Sequence, residues 1–187
     1  MEIVMIRHTR VDVPPGTCYG QTDVAVADTF EQEAAVTKTS LDACAPFDAV
    51  YSSPLSRALK LAAFCGYTQP ITDDRLKEIS MGDWEMKQFD SIRDERLQDW
   101  YDDFMNVAPT NGESYPMLYA RVASFLDELR TKSYGKVAVF AHGGVLMCAG
   151  VYAGLFDAAD CMKHLVECGG IQKIIIPNMS LDRHMQV

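Results

Sequence analysis

Two histidines and two arginines in this sequence could together carry out chemistry on a phosphate group. Arg7 and His8 end a short apolar run near the N-terminus, and His142 ends another. Arg57 follows a third run by a few residues. An arginine grips two oxygens of an anion at once, and an imidazole is a nucleophile or a base. If the four met, the arginines and a cationic imidazole would neutralise the equatorial oxygens while the other imidazole attacks in line, without a metal ion.

The transfer of a phosphoryl group also needs a proton donor for the leaving oxygen. Carboxylates in the middle of the chain are candidates for this role: Asp73, Asp74, Glu78, Asp83 and Glu85. Each could act as a general acid if the fold brings it to the leaving oxygen. The residue types alone do not choose among the five.

Buried strands are predicted directly before the candidate residues. Residues 3–6, 47–51 and 136–141 are short apolar runs, typical of strands that are buried on both faces. Weaker strands are predicted at 70–72 and 171–176. The carboxyl ends of parallel strands meet at one edge of a sheet, where open α/β proteins bind ligands. The histidines and arginines should therefore converge at that edge.

Helices are predicted between these strands. Asp28 and Glu31 have the spacing of a capping box, which predicts a helix over about residues 29–43. Two more are predicted after residues 112–114 and over about 143–153, and the alternation of strands and helices favours a largely parallel sheet with helices on both faces.

The helix that carries Arg57 is predicted over about residues 55–64. Ser53 suits its N-cap and Pro54 its first position, which places Arg57 in the first turn. Free backbone N–H groups and the helix dipole favour an anion there.

The stretch at about 73–115 is less regular, and short helices forming a lid-like excursion over the sheet end are predicted. Its aromatic residues are expected to form a local core rather than a platform for stacking bases. The length of 187 residues fits a single domain over residues 1–187.

The composition is that of an ordinary globular protein, with 48% hydrophobic residues. A formal net charge of −9 argues against a general nucleic-acid or anionic membrane surface. The 6 cysteines form no pair with metal-site spacing. With no secretory signal at the N-terminus, reduced thiols in a cytoplasm are expected.

Residues 137–156 have the length and apolarity of a membrane span. His142, Gly143 and Gly144 interrupt the run early, so a strand followed by a buried helix is the preferred interpretation. We expect no membrane partner.

Five ordered motifs resemble those of the histidine phosphatase superfamily, also called phosphoglycerate mutase-like. Arg7-His8-Thr9 resembles its Arg-His-Gly signature, and the segment from Ser52 to Ala58 its second motif. The remaining matches are Leu76-Lys77-Glu78-Ile79 with Gly82-Asp83-Trp84-Glu85, then Gly112-Glu113-Ser114 followed by Arg121, and finally Ala141-His142-Gly143-Gly144-Val145. Together they span most of the chain.

The resemblance implies a three-layer α/β/α sandwich and assigns roles to residues. His8 would be the phosphorylated nucleophile, Glu78 the general acid, and His142 a catalytic residue that also binds the phosphoryl group. Arg7 and Arg57 would bind that group too. Further substrate-binding candidates are Thr9 and Gly143 within the motifs, together with Tyr19 and Gln21, which the position of their loop after the first strand suggests. The implied cycle is two-step and needs no cofactor, because phosphate passes to His8 and water then removes it.

Within the superfamily, the segment from Gly16 to Asp23 looks most like the alpha-ribazole phosphatase branch, in which a threonine in place of the signature glycine is typical. The branch implies hydrolysis of alpha-ribazole 5′-phosphate in cobalamin synthesis. A broad small-molecule phosphatase, a phosphoglycerate mutase and a non-catalytic phosphate-binding module remain alternatives. Val13-Pro14-Pro15 stands where mutases carry an asparagine that contacts phosphate. The oligomeric state stays open.

Other polar residues receive different predictions. Arg10 could reach substrate or solvent, and Arg121 is expected in a structural ion pair. Nothing marks Cys18 as a nucleophile, although it lies near the predicted site. His164 and His184 are predicted at the surface.

Overall fold

A five-stranded sheet lies at the centre of the computed structural model, which describes residues 1–177. Four strands run parallel in the order β3-β2-β4-β1, and β5 lies antiparallel at the edge beside β1. The strands are β1 (Glu2–Arg7), β2 (Ala49–Ser52), β3 (Ile71–Thr72), β4 (Lys136–Ala141) and β5 (Ile171–Ile175). The prediction of a largely parallel sheet is confirmed. His184, which was predicted at the surface, lies outside the described residues.

Helices cover both faces of the sheet, as predicted. Two of them, α1 (Phe30–Asp42) and α2 (Ser56–Phe64), pack on one face. On the other face lie α4 (Tyr115–Arg130) and α5 (Gly143–Tyr152). The short α3 (Arg96–Asp102) lies between β3 and α4 in the chain. The result is the three-layer α/β/α sandwich that the resemblance implies.

The central strand β1 divides its side chains between the two layers. Ile3 and Met5 pack among the residues of α4 and α5, whereas Val4 and Ile6 pack among those of α1 and α2. All four are completely buried. Strands buried on both faces have continuous apolar runs, which is why this run predicted the strand correctly.

The apolar stretch at 137–156 divides as predicted, into β4 and the buried helix α5. Within residues 1–177, no helix combines the length and apolarity that crossing a membrane requires.

Between β3 and α4, residues 73–114 (the β3–α4 segment) form three 3₁₀ turns and α3; the turns are Asp74–Leu76, Gly82–Trp84 and Phe89–Ser91. A fourth 3₁₀ stretch, Ala158–His164, follows α5. Trp84 is the centre of a small separate core, and its indole N–H donates to Asp94 at 2.6 Å. Its ring meets Trp100 edge-on. Trp84, Phe89 and Trp100 therefore form a local core, as predicted, whereas Tyr101 is 53% exposed.

Two predicted helix starts are wrong in detail. Thr29 rather than Asp28 precedes α1, and its hydroxyl donates to the Glu33 carboxylate at 2.6 Å, so Asp28 and Glu31 form no capping box. The helix α2 begins at Ser56, with Leu55 rather than Ser53 at its N-cap, and the hydroxyl of Ser53 lies 2.8 Å from Nε2 of His142.

The N-terminus of α2 also differs from the expectation of an open anion site. The Asp23 carboxylate accepts the backbone N–H of Ser56 at 2.9 Å and its hydroxyl at 2.8 Å. An acidic side chain from the loop between β1 and α1 therefore occupies the position where an external anion was expected, and it stabilises the positive end of the helix dipole.

Candidate active site

The register of the parallel strands brings the two histidines together. Arg7 pairs with Ala141 across β1 and β4, so the next residues, His8 and His142, leave the sheet side by side. Their ring centroids lie 5.1 Å apart. The backbone N–H of His8 donates to the Ala141 carbonyl at 3.1 Å, which fixes the exit of the chain from β1.

His8 is buried and neutral, with a defined free nitrogen. Its Nδ1 lies 2.6 Å from the Thr9 carbonyl oxygen. A carbonyl only accepts hydrogen bonds, so Nδ1 carries the proton and Nε2 keeps its lone pair. Burial lowers the pKa of His8 to about 3, with Arg57 and Arg7 adding to the effect and the bond to Thr9 opposing it. At neutral pH, Nε2 is therefore available as a nucleophile.

His142 is also neutral, and Ser53 orients it. Its Nε2 lies 2.8 Å from the hydroxyl oxygen of Ser53, which itself accepts the N–H of Leu55. We assign the hydroxyl proton to the hydrogen bond with Nε2, which places the ring proton on Nδ1. Complete burial, then His8 and Arg57, hold the pKa of His142 well below its usual value. The expected cationic imidazole is thus absent from the free site, because desolvation disfavours the charge.

The two arginines are held by backbone carbonyls on different loops. Arg57 is completely buried and donates to the carbonyls of Gly20 at 2.6 Å and Thr22 at 3.0 Å. Its guanidinium carbon lies 5.6 Å from the centre of the Tyr19 ring. Arg7 donates from Nη1 to the Val166 carbonyl at 2.5 Å. Each guanidinium is therefore fixed before any ligand binds.

Several buried polar atoms at this edge of the sheet have no hydrogen-bond partner among the described residues. They are Nε of Arg7, Nε of Arg57, Nδ1 of His142 and the hydroxyl of Thr9. An unpaired buried polar group costs about 1–3 kcal/mol, so native proteins rarely gather several in one place without a use. The cluster provides hydrogen-bond donors for an anion next to the neutral Nε2 of His8.

Glu78 is the carboxylate that contacts the histidine-bearing elements. Its Oε2 accepts the N–H of Gly144 at 3.1 Å, at the start of α5, and its Oε1 accepts the N–H of Ile79 at 2.9 Å. A Cβ on Gly144 would lie only 2.3 Å from Oε1 of Glu78. Glycine at this position is what allows the carboxylate to approach the helix start beside His142.

The other four candidate carboxylates are engaged elsewhere. Asp73 pairs with Arg75 at 2.6 Å, Asp74 with Lys77 at 3.0 Å, and Asp83 accepts from Asn111 at 3.0 Å. Glu85 accepts backbone N–H groups of Gln21, Thr22 and Met81 and the Thr22 hydroxyl, which ties the loop after β1 to the β3–α4 segment.

A sequence profile of the histidine phosphatase superfamily (branch 1) matches residues 3–170. The chain belongs to this superfamily. It is 31% identical to phosphoglycerate mutase-like protein 4 of Arabidopsis thaliana over 155 residues, 78% of this chain and 67% of that protein. It is 32% identical to the adenosylcobalamin/alpha-ribazole phosphatase of Salmonella typhimurium over 109 residues, 54% of each chain. The chain thus spans about half the length of several curated relatives that it matches.

The fold is shared with solved members of the superfamily. The alpha-ribazole phosphatase of Shigella flexneri superposes with a TM-score of 0.82, covering 96% of this chain and 97% of that one at 24% sequence identity. The phosphoglycerate mutase-like fold of this chain is therefore shown.

Among the further substrate-binding candidates of this superfamily member, Thr9 and Tyr19 lie beside His8 and Arg57, respectively. Gly143 lies where a Cβ would come within 3.2 Å of the Arg7 guanidinium, so it provides room for that side chain. Gln21 contacts the segment that carries Glu78 and not His8 or an arginine of the site, because its side-chain amide donates to the Glu78 backbone carbonyl at 3.0 Å.

Arg121 forms the predicted ion pair, with Glu113 at 2.8 Å, and does more. Its guanidinium also donates to the carbonyls of Lys77 and Glu78 at 2.6 and 2.8 Å. It therefore holds the backbone that carries Glu78. The match to Gly112-Glu113-Ser114 and Arg121 was the signal for this pair, but the carbonyl contacts have no sequence signal.

Three polar residues outside the site agree with their predictions. Arg10 is exposed and pairs with Glu33 at 2.6 Å. His164 is exposed and stacks on Phe156. Burial and the Glu85 carboxylate raise the pKa of the Cys18 thiol to about 12, so the thiol stays protonated.

Two residues that orient side chains of the site were not identified from the sequence. Ser53 was assigned to a helix cap and instead contacts His142. Val166 contributes only its carbonyl, which every residue type possesses, so no pattern could have indicated it.

Proposed function

We propose that this protein is a phosphomonoesterase that transfers the phosphoryl group of a small substrate to His8 and then to water. The observation that carries the proposal is the neutral Nε2 of His8 beside the unpaired buried donors of Arg7, Arg57 and His142. A nucleophile beside preorganised donors is what a phosphoryl-transfer site needs. Membership of the histidine phosphatase superfamily supports the same chemistry.

In the first step, Nε2 of His8 attacks phosphorus and the bond to the leaving oxygen breaks. Arg7, Arg57 and the Nδ1–H of His142 bind the equatorial oxygens, where negative charge is spread in the transition state. Glu78 acts as the general acid and gives a proton to the leaving oxygen, so an alcohol departs.

In the second step, water attacks the phosphohistidine and the bond between Nε2 and phosphorus breaks. The Glu78 carboxylate formed in the first step takes a proton from the attacking water. Inorganic phosphate leaves, and both His8 and Glu78 return to their starting forms.

The specific substrate that we propose is alpha-ribazole 5′-phosphate. Support comes from the resemblance of the segment Gly16 to Asp23 and from the similarity to the Salmonella alpha-ribazole phosphatase. Tyr19 in this segment lies against Arg57, where it can contact the sugar or base next to the phosphate.

The test compares phosphate release from alpha-ribazole 5′-phosphate, phosphoserine and 3-phosphoglycerate, together with trapping of an acid-labile phosphoprotein from labelled substrate. His8→Ala should lose both the label and turnover. His164→Ala is the matched control, because this exposed histidine stacks on Phe156 outside the site.

The outcomes separate the alternatives. A kcat/KM at least about 100-fold higher for alpha-ribazole 5′-phosphate supports the narrow assignment. Similar kcat/KM values for all three substrates would indicate a broad phosphatase. Transfer of the label from one phosphoglycerate to another would indicate a mutase. A protein that binds phosphate but shows neither label nor turnover would be a binding module, and the proposal would be wrong.

A further inference from the structure

A cavity of about 270 Å³ lies next to the catalytic edge, between the β3–α4 segment and helices α4 and α5. Its wall includes the aromatic rings of Trp100, Phe104 and Tyr115 and the thioethers of Met147 and Met162. The volume is just below the range of roughly 300–1,000 Å³ that is typical for complete ligands. The cavity therefore has the size for part of a small molecule.

The cavity adjoins the proposed proton donor directly. Gly144 and Ile79, whose N–H groups hold the Glu78 carboxylate, both line it. In the proposed function, Glu78 protonates the oxygen that leaves with the alcohol. The carbon group attached to that oxygen therefore starts beside Gly144 and Ile79, at the mouth of the cavity.

We propose that this cavity binds the leaving group of the substrate and selects uncharged aromatic groups. The inference rests on the proposed phosphomonoesterase activity and adds the substrate class. Aromatic rings and methionine thioethers make favourable contacts with a planar ring system. Burial of its apolar surface adds to the binding free energy.

The absence of charge in the lining supports selection against polar substrates. Among the described residues that line the cavity, none carries a charged side chain. The ammonium and carboxylate groups of phosphoserine, or the carboxylate of a phosphoglycerate, would lose hydration there without a partner, which is costly. Such substrates should bind only with their polar groups outside the cavity.

The test places a charge in the lining at a position that tolerates it. Met162 lines the cavity and is 50% exposed, so Met162→Lys should fold. Met117→Lys is the matched control, since Met117 is 54% exposed on α4 and is not among the residues that line the cavity.

The substrates are 2-(2-naphthyl)ethyl phosphate and phosphoserine, which both release a primary alcohol. The wild-type protein should prefer the naphthyl compound in kcat/KM. Met162→Lys should lower that preference by at least about tenfold, within the range for a wrong group in a hydrophobic pocket. Met117→Lys should leave the preference unchanged.

A binding measurement separates this inference from the proposed activity. Calorimetry with 3-(2-naphthyl)propylphosphonate, in which carbon replaces the leaving oxygen, needs no turnover. A weaker Kd for Met162→Lys than for Met117→Lys supports the cavity even if no substrate is hydrolysed. Equal Kd values for the two variants, or hydrolysis without preference for the naphthyl group, would overturn the cavity assignment and leave phosphatase activity standing.

Discussion

Replacing Gly144 by alanine should displace Glu78, the proposed proton donor, without changing the position of His8, the proposed nucleophile. The new Cβ would lie 2.3 Å from Oε1 of Glu78 and 3.0 Å from a methyl carbon of Leu118. Leu118 needs to move by a few tenths of an ångström, but the carboxylate must leave its place. Glu78 would then lose its hydrogen bond to the N–H of residue 144.

The expected loss follows from the role of a general acid. Protonation of the leaving oxygen contributes about 10²- to 10⁴-fold, which corresponds to roughly 3–5 kcal/mol in the barrier. Alanine within a helix is about 0.8–1.0 kcal/mol more favourable than glycine, so α5 should remain folded. We therefore expect a catalytic defect with little change in thermal stability.

The assay compares benzyl phosphate with 4-nitrophenyl phosphate. The two leaving groups are similar in size, but nitrophenolate departs without a proton whereas benzyl alcohol requires one. Gly144→Ala should lower kcat/KM about 10²- to 10⁴-fold for benzyl phosphate and much less for the nitrophenyl compound. Glu78→Gln should show the same pattern. Gly135→Ala is the control, because the nearest atom to its Cβ, on Asp48, lies at an ordinary 3.5 Å.

Two results would refute this reasoning. If Gly144→Ala lowers kcat/KM equally for both substrates, Glu78 does not act on the leaving oxygen. If benzyl phosphate turnover is unchanged, the position of the carboxylate beside α5 does not matter for catalysis.

Three further predictions concern the buried groups of the site. Ser53→Ala leaves Nε2 of His142 without a partner and should lower the free energy of unfolding, measured in urea, by about 1–3 kcal/mol. The same variant should also lower kcat, and an unchanged kcat would show that the hydroxyl does not orient the ring. In Arg57→Lys, the lysine ammonium cannot reproduce the planar guanidinium, so the inhibition constant of inorganic phosphate should rise about 10- to 100-fold. An unchanged inhibition constant would contradict a contact between Arg57 and phosphate. The pKa of His8 falls from about 6.5 in the unfolded chain to about 3 in the fold, so the unfolded state binds more protons between these pH values. His8 should therefore lower the free energy of unfolding by up to about 1.4 kcal/mol per pH unit below pH 6.5, and buried His142 adds a contribution of the same sign. The free energy should fall less steeply with decreasing pH in His8→Asn, and equal slopes would refute the buried neutral state of His8.

Local sequence patterns determined the strands and the identities of the residues at their ends. The runs before Arg7 and His142 are continuous and apolar because both faces of β1 and β4 are covered. Parallel strands bring their carboxyl ends to one edge, so these patterns also predicted that the two histidines would meet. The helix predicted after residues 112–114 is α4, and its buried residues follow the helical period.

The choice among the five carboxylates depended on the tertiary structure. All five are acidic residues in one irregular segment, and only the packing of that segment shows that Glu78 contacts Gly144 while Asp73 pairs with Arg75. Resemblance had indicated Glu78, but the physical reason is a glycine 66 residues further along the chain. Such a contact leaves no periodic trace in the sequence.

The charge state of the two histidines was likewise decided by their burial in the folded protein. A histidine at a strand end is compatible with either charge state, and the sequence favoured a cationic imidazole. In the fold, His142 is completely buried beside His8 and Arg57, and desolvation together with neighbouring charge keeps it neutral. The sequence by itself therefore determined which residues reach the site, because strands and their ends are local. Their partners, charge states and adjoining cavity arise from distant segments, and only the tertiary structure brings these together.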